Sequence, residues 1–167
     1  AAALVHDRAL RGVGALVDPV DGAYYDAASD SWQLLPSLPS AFGPRSAQLF
    51  DPYLDAPDST GMALMDDNTL ETLAQRAVRS DLQLCTHAIG DRAIDIVLDA
   101  IEKALQERPD PNHRMSIEHC SLPTFEAIDR MRRLGVLPSS SVGFIYELGP
   151  AHLLGFGPER LKRYFPH

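Results

Sequence analysis

The sequence predicts an α/β fold, a parallel sheet covered by helices, on two observations. Apolar residues recur at helical spacing in three stretches, from Leu70 to Val78, Ile94 to Leu105 and Phe125 to Leu134. Between them lie short runs with strand character, and strict alternation of the two patterns is the signature of strand-helix-strand units with parallel strands.

Residues 1–41 stand apart from this alternation. They hold the turn chemistry of D-P-V-D-G and L-P-S-L-P-S and no useful helical pattern after about residue 17, so an irregular or β segment is expected, separate from a domain over 42–167. Within it YYDAASDSWQLLPSLP resembles one kelch blade. A propeller repeats its blade and no second copy is present, so a surface hairpin with Trp32 tucked in is the expected form.

Asn68 opens N-T-L-E, the pattern of a capping box with Glu71, and Leu70, Leu73, Ala74, Ala77 and Val78 share one face of a helix reaching about Ser80. Asp81 to His87 reads as a strand, with Leu82, Leu84 and Thr86 facing one way and Gln83, Cys85 and His87 the other. Asp91 is placed to cap a second helix, whose stripe of Ile94, Val97, Leu98, Ile101 and Leu105 stops before Pro109. A strand from about His113 to His119 follows. Pro123 then opens a third helix, with Phe125, Ile128, Met131 and Leu134 toward the core and Gly135 at its end. Gly135 to Ser141 is a further strand. Beyond Gly143 the chain is loop-rich, with short helical pieces near Ala151 to Leu154 and Pro158 to Tyr164.

At 167 residues, 45% of them hydrophobic, the chain can bury a substantial core. Its formal net charge of -8 argues against nucleic acid as a partner, because phosphate-binding surfaces cluster Lys and Arg. No apolar run approaches the roughly 18 residues of a membrane span, and the opening AAALVHDRAL lacks the basic start of a signal peptide. A cytoplasmic protein with no membrane partner is expected. Cys85 and Cys120 make at most one bridge and read as free core thiols. A glycine-rich phosphate loop and a G-x-S-x-G elbow are both missing from the sequence.

The candidate chemistry lies in two histidines. His87 and His119 each close a strand, and a single helical crossover joins those strands. Strand C-terminal ends of a parallel sheet lie on one side, about 4.8 Å apart, so two imidazoles there can share a metal ion at about 2.0–2.1 Å each. A core histidine satisfied by a carbonyl is the bland reading of either residue alone, but it must hold twice at corresponding positions. A Cys/His zinc site is the rival metal reading. Strand parity weakens it, since Cys85 lies two residues deeper than His87 and Cys120 should face away from His119. Glu118 is expected to pair with Arg114, with a role behind the metal ligands as its alternative, and His113 and His152 to be solvated.

The blocks HAIGDRAIDIVLDAIEKAL, HRMSIEHCSLPTFEAIDRMRRLGVLPS and LGPAHLLGFGPERLKRYFPH, with FGPRSAQLFDPYLDAPDSTG before them, resemble the amidohydrolase superfamily from about Phe42 to His167. The similarity is to the branch containing N-substituted formamide deformylases. It implies a metal-dependent (β/α)8 TIM barrel, of which this segment supplies the fifth to seventh strands, with His87 and His119 as metal ligands. It also implies zinc as the cofactor, activating a water for hydrolysis of C–N bonds in a small-molecule substrate. Asp91 and Arg92 belong to the similar motif, Asp91 as helix cap and Arg92, like Glu118, at the rim or behind the ligands.

Departures from the family pattern shape the remaining expectations. None of the histidines (6, 87, 113, 119, 152, 167) forms a His-x-His pair, and the only lysines, Lys103 and Lys162, lie outside the place of the family's strand-four lysine, which is carboxylated in many members. The strand-eight aspartate would follow His167. A barrel takes about 250 residues. The chain is therefore expected to be a fragment that holds zinc weakly, is inactive by itself and self-associates through exposed barrel edges. The alternative is a catalytically inactive remnant of the fold with a binding or assembly role.

Overall fold

The computed structural model describes residues 2–7, 14–16, 23–26, 31–34, 45–140 and 143–163, and describes side chains from residue 45 onward except those of Phe144, Ile145 and Glu147. The chain order is β1 (Ala2–Asp7), β2 (Gly14–Leu16), β3 (Ala23–Asp26), β4 (Ser31–Leu34), α1 (Asp67–Arg79), β5 (Leu82–Ala88), α2 (Asp91–Glu107), β6 (Ser116–His119), α3 (Phe125–Leu134), β7 (Leu137–Ser140) and α4 (Gly143–Leu161). The expected parallel unit is present, with β5, β6 and β7 as consecutive parallel neighbours joined by α2 and α3.

The sheet is nevertheless mixed. Its order is β2-β1-β5-β6-β7, and β1 runs antiparallel along β5 from Ala2↔His87 to Asp7↔Leu82. β3 and β4 pair antiparallel with Tyr25 opposite Trp32, which is the expected hairpin. The packing of the Trp32 side chain, like the D-P-V-D-G and L-P-S-L-P-S turns, lies outside the described residues. β7 ends the sheet order and carries Pro138, which suits an edge because proline has no N–H to give a further strand.

The helices pack on one face of the parallel strands and form the main core, in which Leu84, Ile94, Leu98, Ile101, Met115 and Ile117 are fully buried. Backbone conformation sets where the elements begin. Asp81 (φ 55) and Arg114 (φ 50) are left-handed, so β5 starts at Leu82, and β6 starts at Ser116 rather than at His113. The cap of α1 is Asp66, not Asn68, because the Asp66 carboxylate accepts the Thr69 N–H at 2.9 Å and the Thr69 hydroxyl at 2.6 Å. Glu71 is thereby free of the capping box and pairs with Lys103 at 2.6 Å.

Thr124 caps α3 by accepting the Ala127 N–H, and Gly135 ends it left-handed at φ 73, as expected of a terminal glycine. Phe125 departs from expectation: it is the first residue of the helix and 72% exposed, because the core face begins at Ala127. Helix also replaces most of the loop expected after Gly143. α4 is continuous up to Gly157, where φ 72 and ψ 169 break it before Pro158.

A second, smaller core of Ala47, Leu49, Tyr53, Ile89, Leu122 and Phe156 forms where the loops leaving β5 and β6 meet α4 and the segment 45–62. Backbone bonds close that segment on itself, from the Leu49 N–H to Thr60 O (2.8 Å) and the Met62 N–H to Ser46 O (3.0 Å), and a third joins it to α4, from the Leu54 N–H to Gly155 O (2.8 Å). Among the described residues no helix is long and apolar enough to cross a membrane.

Candidate metal centre

Register decides which side chains share the face of the sheet opposite the helices. Cys85 lies opposite Ser116 and His87 opposite Glu118, while Thr86 lies opposite Ile117 and Ala88 opposite His119. Residues in register share a face, so Cys85, His87, Ser116 and Glu118 are on one side, away from the helix-covered Leu84, Ala88 and Ile117. Simple alternation would send His119 to the helix side. Instead its backbone is left-handed (φ 66), followed by Cys120 (φ 41), and the ring comes round to the mouth.

There the two imidazoles meet, with ring centroids 4.7 Å apart and planes at 75°. Two imidazoles sharing a tetrahedral ion at about 2.0–2.1 Å per nitrogen have their centroids about 5 Å apart. The pair therefore fits as two ligands of one ion. Among the described residues no group of three or more His, Cys, Asp or Glu is arranged to hold a metal. The turn that carries His119 is latched to β5 by the Cys120 N–H on Ala88 O and the Leu122 N–H on Ile89 O, both at 3.1 Å. A backbone held in a sparsely populated region by fixed bonds is a common device of ligand sites.

The cysteines do not join this pair. Cys120 is fully buried with its sulfur 3.8 Å from that of Met131, and burial pushes its thiol up to about 12. Cys85 is also raised by burial, against the opposing effect of a hydrogen bond with Ser116. Both are free, as expected. Glu118 takes the Ser116 hydroxyl at 2.6 Å rather than the Arg114 guanidinium, while the Arg114 carbonyl accepts from Gln83 at 2.6 Å.

Asp91 is not the helix cap. It is the first residue of α2, Gly90 holds the cap position, and the Asp91 side chain turns back toward the second core. Its Oδ1 accepts the N–H of Phe50 (3.0 Å) and of Arg92 (2.9 Å), and its Oδ2 pairs with Arg163 at 3.2 Å. Gly90 is required beside it, since a Cβ there would meet Gln48 O at 2.0 Å. Arg92 is exposed, and its guanidinium carbon lies 5.8 Å from the centre of the Phe50 ring, a cation–π contact. Phe50 and Arg163 carry no local sequence signal for this role, because they reach Asp91 across 41 and 72 residues.

Two further histidines are buried rather than solvated. His113 accepts the Met115 N–H at Nδ1 (2.9 Å), which leaves Nε2–H to donate to Leu134 O (2.7 Å). His152 is 1% exposed in α4 beside the Phe156 ring, and burial, then the nearby Arg45, hold its pKa below the ordinary 6.5. A depressed histidine binds fewer protons folded than unfolded, so its contribution is present above pH 6.5 and is lost as the pH falls below that value. The urea midpoint should fall between pH 7.5 and 5.5, and less steeply in His152→Leu; equal slopes in both proteins would exclude His152 as the cause.

Comparison with known proteins decides what scaffold carries this pair. The sequence model of the amidohydrolase family matches residues 13–166. The chain belongs to the amidohydrolase family. The match begins upstream of Phe42, where the sequence resemblance starts. "Putative amidohydrolase YtcJ" of Bacillus subtilis (strain 168) is 33% identical over 126 residues, covering 75% of this chain and 23% of that protein. "Protein LONG AFTER FAR-RED 3" of Arabidopsis thaliana is 31% identical over 117 residues, covering 70% of this chain and 19% of that protein.

Among solved structures, this amidohydrolase-family chain superposes on an uncharacterized metal-dependent hydrolase from Pyrococcus furiosus (TM-score 0.65, 32% identity, 75% of this chain and 25% of that one). A second, from Pyrococcus horikoshii OT3, gives a TM-score of 0.64 at 30% identity, with 75% and 24% covered. The chain thus spans between 19% and 25% of the length of these relatives.

Proposed function

We propose that His87 and His119 are two ligands of a zinc ion in a partial (β/α)8 barrel, and that the site serves hydrolysis of C–N bonds in a small-molecule substrate. The observation that carries this reading is the 4.7 Å approach of two imidazoles at the ends of adjacent parallel strands. Family membership and the metal-dependent hydrolases among the structural neighbours support it. When bound, zinc supplies a water of lowered pKa and polarises the scissile carbonyl. The chain's own residues orient the ligands. The left-handed turn at His119 aims one ring, and Glu118, in register beside His87, sets a half-buried carboxylate on the same face.

Zinc titration against a chelating dye tests the pair. His87→Ala and His119→Asn should each weaken binding by more than the about 10–100-fold that loss of a partner behind a ligand costs. Asparagine is chosen at 119 because it tolerates the left-handed backbone. Zinc affinity that survives both changes would end the metal assignment.

One observation favours the second reading, a non-catalytic member with a binding or assembly role. β1 occupies the edge of β5 antiparallel, where a closed barrel places another parallel strand. In that reading copies associate through the exposed β7 edge. Sedimentation equilibrium showing a zinc-independent dimer, with no zinc binding, would support it over the hydrolase.

A further inference from the structure

The geometry points to Arg92 as the residue that receives a carboxylate of the substrate, and to Asp91 as the residue that positions it. The substrate class, a small C–N compound bearing a carboxylate, rests on the hydrolase reading above. Arg92 is exposed at the second position of α2, five residues beyond His87 and on the strand-end side of the sheet. The chain carries a net charge of -8, and Arg45, Arg130, Arg160 and Arg163 are each matched by carboxylates. Among the described residues Arg92 has no carboxylate within ion-pair reach; its guanidinium lies instead over Phe50, which is itself 46% exposed. Arg76, Arg114 and Arg132 are also unmatched, but they lie late in α1, before β6 and late in α3, toward the opposite end of the strands.

The Arg92 Cζ lies 5.8 Å from the centre of the Phe50 ring, within cation–π range, and a guanidinium not spent on a carboxylate of the chain offers N–H donors that match a carboxylate bidentately. The contact is also built from beneath. The same buried oxygen, Asp91 Oδ1, accepts the N–H of Phe50 and of Arg92, so one acceptor fixes the backbones of both residues.

The test is equilibrium binding of N-acetylphenylalanine against its neutral amide, N-acetylphenylalaninamide, to the chain with zinc and with chelator. The acid is expected to bind about tenfold more tightly than the amide, the size of one charge-assisted pair. Arg92→Gln should bring the ratio to about one, and Arg92→Lys, lacking the fork, should restore only part of it. Asp91→Asn keeps the Oδ1 acceptor and should keep the ratio, whereas Asp91→Ala, assayed where it is still folded, should lose it.

A ratio of one in the unmodified chain, a preference that survives Arg92→Gln, or no binding of the acid at millimolar concentration overturns the proposal. An unchanged ratio in Asp91→Ala with only a lower melting temperature reduces Asp91 to structural support. Zinc affinity is read in the same samples. Acid preference without zinc binding fails the metal assignment alone, and zinc binding without acid preference fails this one alone.

Discussion

Ile117→Ala is expected to destabilise the chain by about 2–5 kcal/mol, the range for truncating a fully buried isoleucine. Ile117 is 0% exposed on β6, the middle of the three parallel strands, with Thr86 and Pro138 in register on either side. Its side chain enters the core that also holds Leu84, Ile94, Met115 and Met131, so a truncation leaves a cavity that rigid strands on both flanks cannot close. The urea midpoint should fall with little change in slope, and the melting temperature should drop by about 10 °C. Ile117→Val, which removes one methyl, should cost about 0.5–1.5 kcal/mol. A loss below about 1 kcal/mol for the alanine variant would mean that the helix-covered face is not packed as described.

Asp91→Ala should cost about 3 kcal/mol, for a different reason. The carboxylate satisfies two backbone N–H groups and one guanidinium, and it is the acceptor that joins α2, the 45–62 segment and Arg163 just beyond α4. Removing it strands the Phe50 N–H and leaves Arg163 without its partner in a site where the aspartate side chain is 6% and the arginine 23% exposed. Asp91→Asn, which retains an acceptor, should recover roughly half of the loss. A double-mutant cycle with Arg163→Met isolates the ionic part: a coupling near zero would assign the whole effect to the Phe50 and Arg92 bonds. Exchange of the Phe50 amide should also accelerate in the alanine variant.

The strand-helix alternation was legible because each helix buries one stripe and short apolar runs separate the helices, and such periods survive without knowledge of the partner. Leu70 to Val78 and Ile94 to Leu105 lie where their spacing places them. Element starts were less legible. Left-handed Asp81 and Arg114 delay β5 and β6, and nothing in the residue types announces φ values of 55 and 50. The cap at Asp66 was missed because three consecutive polar residues, Asp66, Asp67 and Asn68, offer the same chemistry and only helix geometry selects one. His113 and His152 read as surface residues because both fall in or beside expected loops; His113 is instead held by Leu134, 21 residues on, and His152 lies on a helix in place of the loop, one turn before Phe156.

By itself the sequence determined that His87 and His119 end neighbouring strands of an α/β unit and that the chain resembles metal-dependent hydrolases. Only the tertiary structure decided that the two rings come within 4.7 Å of each other, edge to face. Alternation along β6 would have turned His119 toward the helices, and a two-residue left-handed turn, latched by bonds to Ala88 and Ile89, reverses it. The role of Asp91 was decided at the same level. Its residue type suited a helix cap, but the choice between its own helix and the Phe50 and Arg163 partners depends on contacts across 41 and 72 residues, which local sequence does not encode.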